Sequence, residues 1–384
     1  MRKLDSEFLS QHAFNLRWAE LPHDVIPFTA ADWDIASHTS IGLAIQDYIS
    51  FGGFPYGPSQ GLFEFRNALA NHFNAHKNTS IQPNQILATN SAAAAIQNLY
   101  NFLFQPNDEI LLPDPVDFLL AECANRINVR VIRFNQNEQG INLKELKEKI
   151  TQKTKAVVIC NPHNPLGFVL NAQQIQDISH FCIENNLVLI SDEVWSDVVH
   201  TPLGFTSALS INNQNTWVIY GFSKGFGMAG LRLGAILGPN EHSVFALMES
   251  QGYGRTIEGV STISQIAGTA ALQQGWSHTC EMNQLFYAHL KNAFERITQE
   301  TQCKCAIPDG TFVMTIHHPE HWDTLTFCDF ARDQFKIAVV PGLEKWFGAG
   351  AKNTFRISLA TDTKTANEGI NRLVKAVQAF GSTL

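Results

Sequence analysis

The sequence predicts an α/β protein with a mostly parallel central sheet, and three observations support this. The chain has 384 residues, of which 45% are hydrophobic and 16% charged, enough for a large domain and a smaller one. Between residues 86 and 220, short apolar runs typical of strands alternate with segments of helical periodicity. Polar residues suited to chemistry follow these apolar runs, and parallel sheets bind ligands at that end of their strands.

The first eighty residues predict helices and loops around one short strand. Phe65, Leu69 and Phe73 recur at helical spacing, which indicates an amphipathic helix. The predicted segments are an arm or short helix at 1–24, a strand and loop at 25–35, a helix at 39–50, a turn-rich loop at 54–61 and the amphipathic helix at 61–76.

The middle of the chain supplies the alternation. Apolar runs predict strands at 86–89, 109–112, 129–134, 156–160, 187–190 and 216–220. Helices are predicted from 91 to about 104, over 143–150 and around 175–182. Because strands joined by crossover helices run parallel, we expect their carboxyl ends to lie at one edge of the sheet.

The composition excludes several classes of protein. The 35 acidic residues outnumber the 27 basic ones, for a net charge of −8, so we expect no nucleic-acid partner. The N-terminal stretch lacks the apolar core of a secretory signal, and no apolar run is long enough to cross a membrane. Seven scattered cysteines fit reduced thiols in the cytoplasm. The pair Cys303 and Cys305 does not predict a metal site, because a metal would need two more ligands nearby. The segment HHPEH (317–321) does not predict one either and is typical of a solvated turn after a strand.

A lysine in the stretch GFSKGFGMAGLRLG (221–234) is a candidate nucleophile. Lys224 follows a predicted strand and stands among glycines that let the backbone approach another group closely. Burial in such a turn disfavours the ammonium form, and a neutral amine forms Schiff bases with carbonyl compounds. Taken alone, the stretch is more typical of a flexible loop with a solvated lysine.

Two other strand ends carry side chains that complement such an amine. Asp192 in SDEVW (191–195) directly follows an apolar strand, where its carboxylate could hold a pyridine nitrogen in the protonated form. Asn164 in NPHNPLG (161–167) could donate from its amide to a phenolate oxygen. The alternative for Asp192 is a helix cap or a buried structural aspartate, and the alternative for Asn164 is an ordinary Asn-Pro turn.

A third strand end predicts an anion site. Ser91, Ala92 and Ala93 open a helix directly after the strand at 86–89, so backbone N–H groups point outward there. Arg232 and Ser223 could add charge-assisted hydrogen bonds to a phosphate. The alternative is a helix that packs closely through its alanines.

An arginine near the C-terminus is the last candidate. Arg356 lies in TFRISLA (354–360), an alternating strand, where it is either solvated or forms a fork for a carboxylate. A lysine, a carboxylate, an amide, an anion site and a guanidinium together suit pyridoxal 5'-phosphate and an amino acid substrate.

Several motifs in this order connect the sequence to a known family. They are YGPSQGLFEFRNALA (56–70), NPHNPLG (161–167), SDEVW (191–195), SKGFGMAGLRLG (223–234), PDGTF (308–312), PG…FG (341–348) and FRIS (355–358). From about residue 25 to 375 the chain resembles the fold-type-I pyridoxal-phosphate enzymes of the class I/II aminotransferase group. That resemblance implies a three-layer α/β sandwich with a mostly parallel central sheet and a smaller α+β domain.

The resemblance also implies roles for the candidate residues. Lys224 would form the Schiff base with the cofactor and shuttle the Cα proton, and Asp192 would pair with the pyridine nitrogen. Asn164 would contact the ring oxygen, and Arg356 would bind the substrate α-carboxylate. The resemblance does not assign the pocket for the substrate side chain, which Trp33, Tyr253, Arg255 and Trp195 could all line. The implied phosphate ligands are Ser91, Ala92, Ala93, Ser223 and Arg232.

The family organisation implies a homodimer and two domains. Tyr56 would reach the phosphate in the neighbouring subunit. The large cofactor-binding domain would span 49–280. The small domain would combine the N-terminal segment 1–48 with residues 281–384.

The sequence departs from the family pattern at several places. Trp195 stands where a tyrosine usually bonds the ring oxygen, and it is retained as a candidate cofactor contact. Gly221 replaces a frequent phosphate-binding serine, and Ser91 replaces a glycine of the phosphate turn. Asp117 occupies the place of the aromatic residue that stacks on the cofactor ring, so the adjacent Phe118 is the candidate for stacking.

Two reactions fit the resemblance. ADWDI (31–35) and SDEVWSDVV (191–199) are similar to the cystathionine β-lyase-like C–S lyases, which release thiol, pyruvate and ammonia. SKGFGMAGLRLG, with Arg232, is more similar to the aminotransferases. Because that stretch contains the catalytic segment itself, we favour an aminotransferase acting on an L-amino acid and a 2-oxo acid.

Overall fold

A computed structural model describes residues 7–9, 16–137, 140–201, 204–211, 214–256 and 259–383 of the chain. The described α-helices are α1 (Leu16–Ala19), α2 (Thr39–Phe51), α3 (Phe63–His76), α4 (Ala92–Leu103), α5 (Phe118–Asn125), α6 (Leu143–Lys149), α7 (Ala172–Glu184), α8 (Phe222–Gly225), α9 (Glu241–Gln251), α10 (Thr262–Gln274), α11 (Trp276–Glu300), α12 (Thr324–Phe335), α13 (Glu344–Phe347) and α14 (Thr363–Thr383). None of them is both long enough and apolar enough to span a bilayer.

The strands fall into two sheets. The described strands are β1 (Ile26–Phe28), β2 (Ile86–Thr89), β3 (Glu109–Asp114), β4 (Arg130–Asn137), β5 (Gly140–Ile141), β6 (Thr154–Cys160), β7 (Val188–Asp192), β8 (Thr216–Gly221), β9 (Gly234–Leu237), β10 (Lys304–Cys305), β11 (Val313–His317), β12 (Ile337–Pro341) and β13 (Thr354–Ser358).

The larger sheet has the strand order β2-β9-β8-β7-β6-β3-β4-β5. The six strands predicted from apolar runs all run in one direction, whereas β9 and β5 pair antiparallel with their neighbours. The prediction of a mostly parallel sheet is therefore confirmed. The strands β5 and β9 were not predicted: β5 has only two residues, and β9 begins at Gly234, inside the glycine-rich stretch that contains Lys224.

Alternate residues of the central strands face two separate hydrophobic cores. In β6, Val157 and Ile159 belong to a core that includes residues of α3, α7 and α10. Val158 and Cys160 point to the opposite core, which includes residues of α4, α5 and α9. Helices therefore cover both faces of the sheet, as the period of two along a strand requires, and the three-layer α/β sandwich is confirmed.

The smaller sheet joins the two ends of the chain. Its order is β1-β12-β13-β11-β10, and only the β1–β12 pair is parallel. Its core includes residues of α11, α12 and α14. The N-terminal strand thus pairs with the C-terminal third, while the division at residues 48 and 280 stays a prediction.

Two local predictions concern the N-terminal arm and the HHPEH segment. The predicted arm at 1–24 lies partly outside the described residues, although the short helix α1 falls within it. The prediction that HHPEH is a solvated turn is wrong for His318, which is buried. Its ring bonds to Thr324 Oγ1 at 2.7 Å and stacks on Trp322, since a neutral imidazole needs a partner when it is buried.

Candidate active site

The carboxyl ends of β3, β6, β7 and β8 open onto a cavity of about 310 Å³. Most residues singled out in the sequence line this cavity, because parallel strands bring their ends to one edge of the sheet. Those residues are Ser91, Ala92, Ala93, Asn164, Asp192, Trp195, Ser223, Lys224, Arg232 and Arg356.

Lys224 lies in α8, a single helical turn that directly follows β8. Its Nζ donates to the carbonyl oxygen of Ala31 at 2.6 Å and lies 5.3 Å from the centre of the Trp195 ring. The indole N–H of Trp33 donates to the Lys224 carbonyl at 2.8 Å, so the loop after β1 contacts this lysine at both its ends. Burial lowers the pKa of Lys224, and the carboxylate of Asp32 opposes that effect only in part.

Asp192 is the last residue of β7, buried at the floor of the cavity. Its Oδ1 accepts a hydrogen bond from the backbone N–H of Val194 at 3.1 Å. Burial raises the pKa of Asp192 to about 7, although the Val194 N–H and the cationic Lys224 act in the opposite direction. A cation placed beside this buried carboxyl group would stabilise its ionised form and make a strong ion pair with it.

Asn164 links two charged groups at the other side of the cavity. Its Nδ2 donates to Asp117 Oδ2 at 2.7 Å, and its Oδ1 accepts from a terminal nitrogen of Arg356 at 2.8 Å. The Asn-Pro turn that was the alternative is also present, and it places this amide at the end of β6.

Arg356 extends from β13 of the smaller sheet into the cavity, so the site uses both sheets. Its second terminal nitrogen donates to the Thr29 carbonyl at 3.4 Å, and its guanidinium carbon lies 5.2 Å from the centre of the Phe347 ring. Burial lowers the pKa of Arg356 to about 10, a value at which the group remains charged near neutrality. Each terminal nitrogen carries two N–H groups and donates one of them to the described residues, so one N–H on each remains for a carboxylate, while the buried Nε has no partner among those residues.

The start of α4 forms the anion-binding end of the cavity. Ser91 caps the helix by accepting the N–H of Ala94 at 3.1 Å, which leaves the first two amides of the helix for a ligand. Gly234 is packed so tightly there that a Cβ would come within 2.7 Å of the Ala92 nitrogen. Arg232 and Ser223 line the same cavity. Arg232 is exposed, and its backbone is left-handed, with φ of 50°.

Three predicted site residues lie elsewhere. Phe118 does not contribute to the cavity wall formed by the described residues, since its ring packs edge to face against Trp346 at 5.3 Å. A stacking role for Phe118 would require this packing to change. Trp33 is buried below the cavity against Phe286 and touches the site through the Lys224 carbonyl. Tyr56 is 92% exposed on the surface of the subunit.

Sequence reasoning did not assign several residues that line the site, and two of them bond the predicted ones. Asp117 was noted only as a departure from the family pattern, yet it lines the cavity and bonds Asn164. Its position after β3 was the available signal, because the other polar site residues also follow strand ends. Ala31 supplies a backbone carbonyl to Lys224, and no side-chain pattern marks a backbone contact of this kind.

Comparison with known proteins extends this geometry. Residues 24–373 match the family model for aminotransferase class I and II. An aspartate aminotransferase of Pyrococcus abyssi is 30% identical over 92% of each chain. A probable aspartate/prephenate aminotransferase of Aquifex aeolicus is 28% identical over 92% of this chain and 91% of its own. A PLP-bound putative aminotransferase from Clostridium difficile 630 superposes with a TM-score of 0.90, at 21% identity over 98% of each chain, which shows a shared fold.

The family match and the cavity agree with the resemblance seen in the sequence. The two sequence relatives described above are named aminotransferases, so the C–S lyase alternative is not favoured. The cavity holds the lysine, the buried carboxylate and the guanidinium that pyridoxal phosphate and an amino acid need. The chain belongs to the class I and II aminotransferases and is a pyridoxal-phosphate-dependent transferase.

Proposed function

We propose that this cavity transfers the amino group of an L-amino acid to a 2-oxo acid, with Lys224 as the catalytic amine. One observation carries the proposal. The cavity that receives Lys224 also contains the buried carboxylate of Asp192 and the guanidinium of Arg356. One cavity therefore contains all three groups that the reaction needs. Lys224 supplies the reactive amine, Asp192 the anion that pairs with a cationic ring, and Arg356 the guanidinium that binds a carboxylate.

The residues present fit pyridoxal phosphate. The start of α4, with Arg232 and Ser223, would hold the phosphate, and Gly234 places no Cβ against the backbone of Ser91 and Ala92 there. Asp192 would pair with the ring nitrogen, and Asn164 retains one amide N–H for the ring oxygen. When bound, the cofactor supplies a sink for the electron pair left at the substrate Cα.

The side chains of this chain would then act on the substrate. Arg356 binds the α-carboxylate and so orients the Cα–H bond relative to Lys224. The Lys224 amine would accept the Cα proton at Nζ and later donate it again, and its lowered pKa increases the fraction of the neutral, proton-accepting form. Asp192 keeps a proton on the ring nitrogen through its negative charge.

An exposed apolar surface supports assembly into a homodimer. Residues 43–63 carry large hydrophobic side chains that are mostly exposed in the single subunit, among them Phe51 at 77%, Phe54 at 64% and Tyr56 at 92%. A patch of this kind on one segment is typical of a protein–protein interface. The partner is a second copy, in which Tyr56 reaches the neighbouring cavity.

The cellular location and domain division belong to the same proposal. All seven cysteines are free thiols, which supports a reducing compartment, and we place the enzyme in the cytoplasm. Residues 49–280 would form the cofactor-binding domain, while 1–48 and 281–384 would form the small domain. Arg356 would then bring the small domain to the cofactor.

A substrate panel tests the reaction. The purified holoenzyme is incubated with single L-amino acids and 2-oxoglutarate, and amino-group exchange is measured. A parallel incubation with cystathionine is assayed for pyruvate and free thiol. Exchange that requires the 2-oxo acid supports transamination, whereas pyruvate and thiol formed without any 2-oxo acid would overturn it in favour of β-elimination.

A further inference from the structure

Asp117 lies at one end of a short chain of hydrogen bonds that ends at Arg356. Its Oδ2 accepts from Asn164 Nδ2 at 2.7 Å, and Asn164 Oδ1 accepts from Arg356 at 2.8 Å. The Asp117 backbone N–H also donates to the Asn164 carbonyl oxygen at 3.1 Å. A side-chain and a backbone contact therefore hold these two loops together.

The chemistry of the three side chains allows only one orientation of the Asn164 amide. An ionised carboxylate only accepts hydrogen bonds, and a guanidinium only donates them. A flipped amide would place its oxygen against Asp117 and its NH₂ group against Arg356, and both contacts would repel. Asp117 thus decides that the Asn164 oxygen points toward Arg356.

This orientation fixes the guanidinium before any substrate is bound. One terminal nitrogen of Arg356 donates to Asn164 and the other to the Thr29 carbonyl, while the Phe347 ring lies against the guanidinium plane. The Nε donor remains unpaired among the described residues. A guanidinium held in this way loses little conformational entropy when a carboxylate binds.

We infer that Asp117 is a positioning residue for substrate binding, acting through Asn164 to hold Arg356 ready for the α-carboxylate. The inference rests on the proposed function, since it assigns the substrate carboxylate to Arg356. The negative charge of Asp117 also opposes the lowering of the Arg356 pKa by burial, which keeps the guanidinium charged.

Asp117 has a second role that a test must separate from the first. Its Oδ1 accepts the N–H of Leu119 at 3.0 Å and so caps α5. Serine is also a good N-cap, so Asp117→Ser keeps the cap and removes the carboxylate that bonds Asn164. Asp323 is a matched control, because it caps α12 through Thr326 at 2.8 Å and lies outside the cavity.

The experiment uses the holoenzyme and two readouts. Exchange kinetics give KM and kcat for the amino acid donor. Titration with 2-methylalanine, which has no α-hydrogen, gives a dissociation constant, Kd, from the cofactor's visible absorption without turnover. For Asp117→Ser we expect KM and this Kd to rise about 10-fold, with kcat within about 3-fold and thermal stability near that of wild type. Asp323→Ala should show the reverse, with lower stability and unchanged binding.

A double-mutant cycle tests whether Asp117 acts through Asn164. If it does, Asp117→Ser adds no further loss of 2-methylalanine affinity to an Asn164→Ala enzyme. Affinity within about 2-fold of wild type in Asp117→Ser, or additive losses in the double variant, would overturn the inference. Failure of the proposed function would appear separately, as a wild-type enzyme that performs no exchange.

Discussion

Gly234 lies directly against the backbone of Ser91. A Cβ on Gly234 would come 2.6 Å from the Ser91 carbonyl carbon and 2.7 Å from the Ala92 nitrogen. Gly221, which also lies near the start of α4, has more room, since its Cβ would come no closer than 3.4 Å, to Ala92. An alanine therefore fits at Gly221 but would clash with the backbone at Gly234.

This difference gives a matched pair of variants. Gly234→Ala should displace the start of α4 and weaken pyridoxal phosphate binding about 10-fold or more, because an overpacked methyl group forces the backbone to shift. Gly221→Ala should bind the cofactor with nearly wild-type affinity. Equilibrium binding of pyridoxal phosphate to the two apo-proteins measures both effects, and equal affinities would contradict the assignment of this end to the phosphate.

The buried environment of Lys224 predicts a shifted pH dependence of cofactor uptake. Only the neutral amine reacts, and burial lowers the pKa of Lys224 below the ordinary value of 10.5. The rate of cofactor uptake by the apo-protein should therefore rise with pH and level off below that value. Stopped-flow absorption measures this profile. Borohydride reduces the imine to a stable, colourless secondary amine, so wild-type protein should carry the reduced cofactor on the peptide that contains Lys224. Lys224→Ala should retain no covalently bound cofactor after this treatment, and a labelled peptide elsewhere in the chain would refute the role of Lys224.

The Asp192 carboxylate should increase activity but decrease the stability of the apo-protein at high pH. Its pKa is raised to about 7 by burial, so the folded apo-protein binds a proton more tightly than the unfolded chain between about pH 4 and 7. The free energy of unfolding thus falls as the pH rises through this window. Asp192→Asn should therefore increase the free energy of unfolding of the apo-protein, relative to wild type, more at pH 8 than at pH 5. The difference between the two pH values should be on the order of 1–3 kcal/mol.

The same substitution should slow amino-group exchange by about 100-fold or more, because the negative charge beside the ring nitrogen is lost. Thermal unfolding at the two pH values and exchange kinetics check the two effects. An unchanged exchange rate in Asp192→Asn would contradict the role of this carboxylate, whatever happens to stability.

Arg356→Lys should weaken substrate binding more than turnover. An ammonium group cannot replace the planar fork that contacts Asn164, Thr29 and a carboxylate together. We expect KM for the amino acid to rise about 10-fold with a smaller change in kcat. Arg133→Lys is the control, since Arg133 bonds the Pro113 carbonyl outside the cavity. An unchanged KM would mean that another group anchors the carboxylate.

The exposed patch on residues 43–63 predicts the oligomeric state. Phe54→Glu, at a ring that is 64% exposed, should convert a dimer into monomers and reduce exchange, because Tyr56 no longer reaches the neighbouring site. Phe245→Glu introduces the same charge at a ring that is 61% exposed in α9, and it should leave the dimer intact. Light scattering of the holoenzyme measures both, and a monomeric wild-type protein would contradict the prediction.

Much of the site was predictable because its side chains follow apolar strands. Asn164, Asp192 and Lys224 come after β6, β7 and β8, and the rule for parallel sheets brings such positions together. Phe118 shows where that reasoning stopped. It was chosen by its neighbourhood in sequence, but α5 directs its ring to Trp346, and Asp117 lines the cavity in its place.

The sequence by itself determined the three-layer sandwich, the family and the residue types of the site, since hydrophobic periodicity and motif order are local properties of the chain. Only the tertiary structure decided which partners those residues have. The bond from Lys224 to Ala31 and the chain from Asp117 through Asn164 to Arg356 join segments about 50 to 190 residues apart. Such contacts depend on how the two sheets pack, and no periodicity along the chain encodes that arrangement.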